Sequence, residues 1–260
     1  LPIWIGLWVF AAIAVDFFYY WFHRLSHEIS ILWASHAVHH QSEDYNLSTA
    51  LRQTSTGFLF GWIFYVPLFI FGFPLVVILV VKAVNLIYQF WVHTQHIRHL
   101  GPLEAILMTP SHHRVHHGQN ERYIDKNYGG IFVLWDRMFG TFAEESDDEP
   151  VIFGVRKPLA NWNPFWANFQ VYNYLLFDAR KAHRWQDKIG VWFRRTGWRP
   201  ADVEAAFPRT PVDLDTFQKY DSQLSDSRRR YVIAQFFVIV ATALSIAEAF
   251  ATQGSQVVLI

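Results

Sequence analysis

Residues 57–96, "GFLFGWIFYVPLFIFGFPLVVILVVKAVNLIYQFWVHTQH", are apolar almost throughout and are interrupted near the middle by Gly72 and Pro74. A bilayer-spanning helix needs roughly 20 apolar residues, so this run has twice the length of one crossing and carries its turn signal at the midpoint. It reads as a helical hairpin that crosses and returns. Two further stretches have spanning length: "LPIWIGLWVFAAIAVDFFYYWF" (1–22), with Asp16 as its single acid, and "YVIAQFFVIVATALSIAEAF" (231–250). Arg228, Arg229 and Arg230 precede the last stretch and, by the positive-inside tendency, keep its start cytoplasmic. Composition agrees with a membrane chain, because 52% hydrophobic and 18% aromatic residues exceed what a soluble domain carries.

The hairpin decides where the polar chain meets. An even number of crossings between residues 41 and 93 returns His93 to the membrane face that carries His23 to His40. Residues 97–227 contain no other span and hold turn and charge signals such as "EESDDEP" and "GWRPAD", so they are expected to cap that face. Within the cap, Leu175, Ala179, Ala182, Trp185, Ile189 and Trp192 recur at helical spacing among basic residues. That pattern fits an interfacial amphipathic helix, and equally a helix covering the core of the cap. The chain opens inside an apolar run without an initiator Met and ends on "QVVLI", so it reads as a piece of a longer protein, with no signal peptide. Formal net charge is zero, which gives no global case for a nucleic-acid partner, and the absence of cysteine leaves His, Asp and Glu as the strong metal ligands.

Twelve of the thirteen histidines lie between positions 23 and 117. "HRLSH" sets His23 and His27 four apart; "HAVHH" sets His36, His39 and His40 at i, i+3 and i+4; "HRVHH" repeats that with His113, His116 and His117. Helical residues three and four apart stand about 5–6 Å from one another on one side, close enough to share or bridge metal ions. A lone histidine is more often a hydrogen-bonded core or surface residue, but eight in three boxes reverse that balance. Unbound imidazoles so crowded would repel when protonated. A zinc ion takes about four ligands, so these histidines suit two ions. Imidazole does not choose the element; apolar helices facing alkyl chains favour iron, since unactivated C–H bonds require oxygen chemistry.

Asn85, Gln89, His93 and His96 form a polar stripe on the second hairpin helix, with His93 a ligand candidate and His96 a further one. His112 pairs with His116 at i, i+4 and stands between ligand and supporting residue. In the first span Asp16, Tyr20, His23 and His27 follow helical steps, which aligns the acid with the first ligands and suggests a carboxylate accepting the distal N–H of a histidine. Glu28, Glu43 and Asp44 follow histidine boxes and are similar candidates, and Glu43 could serve as a general base.

"DFFYYWFHRLSHE", "LWASHAVHHQSEDYNLSTALRQ", "HLGPLEAILMTPSHHRVHHGQN" and "YIDKNYGGIFVLWDRMFGTF" resemble the fatty acid hydroxylase and sterol desaturase superfamily, and within it the alkylglycerol monooxygenase-like branch. The resemblance covers roughly residues 10 to 200. It implies an all-α integral membrane protein, with transmembrane helices under a cytosolic helical cap that holds a histidine-rich di-metal centre. On that basis residues 1–150 form the membrane catalytic domain, 151–227 a cytosolic cap with an amphipathic basic helix, and 228–260 a C-terminal transmembrane segment. The ligands it implies are His23, His27, His36, His39, His40, His93, His113, His116 and His117, with His96 and His112 as additional candidates. Two iron ions, replaceable by zinc on purification, would use O2 and two electrons from a protein donor or a reduced pterin such as tetrahydrobiopterin. The expected substrate is a membrane lipid, its alkyl chain held in an apolar cleft between the spans and hydroxylated or desaturated, with ether cleavage if the attacked carbon adjoins an ether oxygen. The expected location is a bacterial inner membrane, or the endoplasmic reticulum in a eukaryote, with the site facing the cytoplasm. Two other readings differ in class: a zinc-dependent lipid hydrolase, and a metal transporter or sensor with Asp16, Asn85 and Gln89 along an ion path.

Overall fold

The computed structural model describes residues 2–257, with side chains described for 5–252. The first residue of the opening apolar run and the last three of the chain lie outside the described residues. Regular structure is helical, and among the described residues antiparallel pairing is limited to isolated bridges such as Ile29 with Arg195 and Leu107 with Phe132. The chain divides into two units, one up to Gln218 and one from Lys219 onward.

Helix α1 (Pro2–Glu28) buries Ala11 and Val15 against Leu68, Val77, Ile78 and Val81 of the hairpin, while Ile5, Val9 and Phe10 stay exposed. Small Ala11 lets the helices approach, and an apolar outer face costs nothing in lipid. A single extended residue, Ile29 (φ −112°, ψ 124°), separates α1 from α2 (Ser30–His40). The break is held from outside: Ser30 N donates to Arg194 O at 3.1 Å and Thr196 N to Glu28 O at 2.9 Å. Asn46 caps α3 (Leu47–Ala50), its Oδ1 accepting Ser48 N at 2.9 Å, which turns the chain toward Arg52.

The hairpin returns, but neither limb has the length of a full crossing. Its first limb is broken into α4 (Phe58–Gly61), a 3-10 turn (Trp62–Tyr65) and α5 (Val66–Ile70), with Pro67 in the first turn of α5. Gly72 adopts φ +82° and Pro74 starts α6 (Leu75–Trp91). At about 1.5 Å per residue the limbs reach roughly 20 and 26 Å, against a hydrocarbon core of about 30 Å. Among the described residues, the helices long and apolar enough to cross a membrane are those over Ile5–Glu28 and Asp226–Thr252.

After α6 come α7 (Pro110–His116), α8 (Leu134–Phe139), α9 (Pro164–Lys181), α10 (Trp185–Phe193) and α11 (Ala201–Ala206). The helix expected through residues 175–192 is two helices. Ala182 takes an extended ψ of 136°, and the next amide, His183 N, donates to Asp202 Oδ2 at 2.8 Å instead of continuing the ladder. Leu175, Ala179 and Val191 pack together, whereas Trp185, Ile189 and Phe193 remain exposed. The second unit contains α12 (Asp226–Val257), whose described side chains are all exposed.

Candidate metal centre

Helices α1, α2 and α7, with the chain just after α6, bring nine histidines into two groups. One holds His23, His27, His36, His40 and His116; the other holds His39, His93, His113 and His117. Within each group one nitrogen per ring lies within 4.8 Å of all the others. The groups adjoin: the rings of His40 and His117 stack at 4.3 Å, and His113 and His116 lie 5.2 Å apart. Burial, reinforced by mutual repulsion, pushes His36, His40, His113, His116 and His117 well below the ordinary histidine value, and His39 down to about 3. The rings are therefore neutral and ready to coordinate.

Backbone carbonyls set their tautomers. His39 Nδ1–H donates to Arg52 O at 3.1 Å and His93 Nδ1–H to Gln89 O at 2.7 Å. A carbonyl only accepts, so both Nε2 atoms are unprotonated, yet they face each other at 3.3 Å. Two lone pairs at that separation repel unless a cation lies between them. In the larger group His23 Nδ1–H donates to Tyr128 O at 2.8 Å and His116 Nδ1–H to Lys126 O at 2.9 Å. The Nε2 atoms of His27, His116 and His117 are buried without a protein partner. Bonds of about 2.1 Å place neighbouring ligand nitrogens about 3 Å apart, which these spacings match. The residues fit two imidazole-bound ions.

The loop at 125–129, "DKNYG", encircles the larger group. Asp125 and Asn127 adopt φ of 58° and 55°, a conformation that Asp and Asn tolerate, and the carbonyls of Lys126 and Tyr128 both turn to the histidines. Asp125 also places a carboxylate oxygen 3.9 Å from His27 Nδ1. Asp136 holds the loop, accepting Tyr128 N at 2.7 Å, Gly129 N at 2.8 Å and Thr141 Oγ1 at 2.6 Å. Sequence reasoning left this loop and Arg114 without a role. Arg114, inside "HHRVHH", is buried and ties the turn after His93 to α7: it donates to the carbonyls of Thr94, Ile97 and Arg98 and pairs with Glu145. An arginine within a histidine helix that is otherwise buried was the available signal.

Asp16 does not accept from a histidine. Its carboxylate takes Asn85 Nδ2 and Ile131 N at 2.7 Å, Trp135 Nε1 at 2.9 Å and Phe132 N at 3.1 Å. Gln89 in turn donates to Asn85 and accepts from Tyr19, so Asp16, Asn85 and Gln89 satisfy one another. A Cβ on Gly130 would lie 2.7 Å from Asp16 Oδ1, so only glycine permits this approach. Glu43 is half-buried beside Gly154, His96 is exposed, and His112 is buried but belongs to neither group; its neighbours are Glu104, Arg137 and Glu144.

One large cavity, about 1060 Å³, reaches the histidines at His27, His40, His116 and His117. Its walls come from α2, α9 and the segments near 154–158, 196–199 and 207–217. The hairpin contributes none of the lining of this cavity.

These features define an all-helical scaffold with a buried histidine-rich centre, and comparison gives its family. The chain belongs to the fatty acid hydroxylase family, which matches residues 8–141 and with them all nine grouped histidines. It is 46% identical over 234 residues to alkylglycerol monooxygenase of Danio rerio and 42% over 235 residues to that of Homo sapiens, covering in each case 90% of this chain and 52% of the relative. It is also 34% identical over 160 residues to ornithine lipid hydroxylase of Rhizobium tropici, covering 58% of this chain and 46% of that protein. The chain spans about half the length of the alkylglycerol monooxygenases of Danio rerio and Homo sapiens. No solved structure matches it.

Proposed function

We propose that the chain is the catalytic part of an integral membrane di-iron monooxygenase that oxidises an alkyl chain of a lipid with O2 and two external electrons. The observation that carries the metal reading is the pair of unprotonated Nε2 atoms, His39 and His93, facing each other at 3.3 Å. One ion would be held among His23, His27, His36, His40 and His116, the other among His39, His93, His113 and His117. When bound, the pair supplies the redox chemistry with O2 that an unactivated C–H bond requires. The names of the relatives support oxidation over hydrolysis.

The chain's own residues position and shield. Carbonyls of Gln89, Arg52, Lys126 and Tyr128 orient the rings and raise their basicity. Trp33, packed 5.0 Å from His27 and 5.6 Å from His40, lines the cavity beside the two rings and makes their surroundings less polar. No side-chain acid, base or nucleophile is needed; cavity depth selects the carbon. If that carbon adjoins an ether oxygen, the hydroxylated product is a hemiacetal that breaks down, cleaving the ether. Removal of a second hydrogen gives a desaturated product instead. Electrons come from a protein donor or a reduced pterin such as tetrahydrobiopterin. Residues 1–150 form the catalytic domain, 151–227 the cap and 228–260 a membrane anchor, with the cap in the cytoplasm of a bacterial inner membrane or of an endoplasmic reticulum membrane.

The test is metal content together with turnover of lipid extracts by the full chain. Two irons and an O2-dependent gain of one oxygen or loss of two hydrogens are expected. Zinc with anaerobic turnover would overturn the reading. Zinc alone would not, because it outcompetes ferrous iron at imidazole sites.

A further inference from the structure

The buried histidines form the floor of the 1060 Å³ cavity, and exposed Arg156, Lys157 and Arg209 stand at its mouth. Between them the walls are mainly apolar and aromatic, with Trp33, Val171, Leu175, Phe177, Trp198 and Phe207. The volume reaches the upper end of the range of about 300–1,000 Å³ usual for small-molecule sites. A greasy shaft with a cationic rim has the polarity of a single-chain amphiphile with a negative head.

The charges at the rim are unevenly matched. The buried carboxylate of Asp178 takes Arg199 at 2.9 Å through both oxygens and Arg209 at 3.3 Å. The other lining acids are engaged elsewhere: Asp125 pairs with Arg195, and Asp213 accepts from the Asp215 amide and the Thr216 hydroxyl. Arg156 pairs with Glu121. Lys157 forms no ion pair among the described residues; its ammonium rests on the Tyr174 ring at 3.3 Å, where partial burial and neighbouring Arg209 hold it below the ordinary lysine value against the pull of Asp178, a carboxylate already shared by Arg199 and Arg209. A cation kept among cations, with no carboxylate of its own, is arranged for an anion from outside.

We propose that the cavity binds a single-chain lipid whose head carries a phosphate, with Lys157 as the head-selecting residue, Arg209 assisting, and the chain running down to the histidines. This rests on the lipid-oxidation reading for what happens at the floor, but the binding it asserts does not depend on turnover.

The experiment compares equilibrium binding of an alkyl phosphate and of the alkylglycerol of equal chain length to the metal-loaded full chain in neutral-detergent micelles. Inorganic phosphate serves as competitor, and Lys157→Gln and Arg209→Gln as variants. The alkyl phosphate should bind about fivefold more tightly, as one partly exposed charge pair allows, and added salt should shrink the advantage. Lys157→Gln should remove most of the preference, Arg209→Gln part of it, and inorganic phosphate should not displace the lipid at equal concentration. Equal binding of the two amphiphiles, a preference that survives Lys157→Gln with Arg209→Gln, or displacement by inorganic phosphate would overturn the proposal. Oxidation measured in the same preparation separates the two ideas: charge-selective binding without turnover counts against oxidation only, and turnover with charge-blind binding counts against head selection only.

Discussion

The five-histidine and four-histidine groups share α2 and α7, yet they are supported in different ways. In the smaller group, His93 donates to the carbonyl of Gln89, four residues earlier, and His39 to that of Arg52, thirteen later. The first acceptor lies within α6, and the second just after α3, where Arg52 folds back onto α2. In the larger group, His23 and His116 depend on carbonyls of the 125–129 loop, which is over a hundred residues from His23 and is held by Asp136. One half of the centre is thus organised by local helical geometry, the other by a loop that must dock. Perturbing the loop should loosen one ion and spare the other.

The largest effects come from the ligands. His116→Ala and His39→Ala should each lower bound metal from two ions per chain to one and abolish lipid oxidation, as read by metal analysis and product mass. The remaining ion should belong to the smaller group in His116→Ala and to the larger in His39→Ala. Full activity in either variant would remove the two-ion assignment.

Acid should strike both groups. In the metal-free protein the folded values of His36, His40, His113, His116 and His117 lie well below the unfolded value of about 6.5, and that of His39 is about 3. The unfolded chain therefore takes up protons first. Stability is intact above pH 6.5 and is lost progressively as the pH falls below that value, because the unfolded chain binds protons that the folded cluster resists. A melting temperature that stays level between pH 7 and pH 5 would mean that these rings are not buried together.

The same contrast marks what could be read from the sequence. Eight of the nine grouped histidines were legible because side chains three and four apart share a helix face, and the ninth, His93, because the hairpin returns it to them. Helical spacing misplaced the rest. Asp16 lies seven residues before His23, a rise of about 10.5 Å, so shared facing does not bring its carboxylate to the ring. His96 continued a stripe on paper, but α6 ends at Trp91. His112 precedes His113, and consecutive helical residues point in different directions. The acceptors of the larger group were invisible because they are carbonyls, which every residue has; only the Asp125 and Asn127 pair, suited to left-handed backbone, hinted at the loop.

Asp136→Asn tests the docked half. An amide cannot accept from Tyr128 N, Gly129 N and Thr141 together, and its NH2 would face one of those donors. Loss of such supporting contacts costs about 10–100-fold in metal affinity. Measured in His39→Ala, where the larger group alone retains an ion, chelator competition should show that drop. In His116→Ala the affinity should stay unchanged, and an equal loss in both backgrounds would mean that the groups do not act separately.

Arg52→Ala is the smallest change and addresses the other half. The Arg52 side chain donates to Val38 O at 2.6 Å and Gln41 Oε1 at 3.0 Å, which ties the His39 acceptor back onto α2. Removing it leaves the Arg52 carbonyl in place but less firmly held, and His93 keeps its own acceptor within α6. The expected loss is therefore below the range of about 10–100-fold seen when a supporting contact is removed outright. It should appear in His116→Ala and be absent in His39→Ala, the reverse of Asp136→Asn. If Arg52→Ala weakens the larger group instead, the division into a locally organised half and a docked half fails, since Arg52 touches only the helix that both groups share.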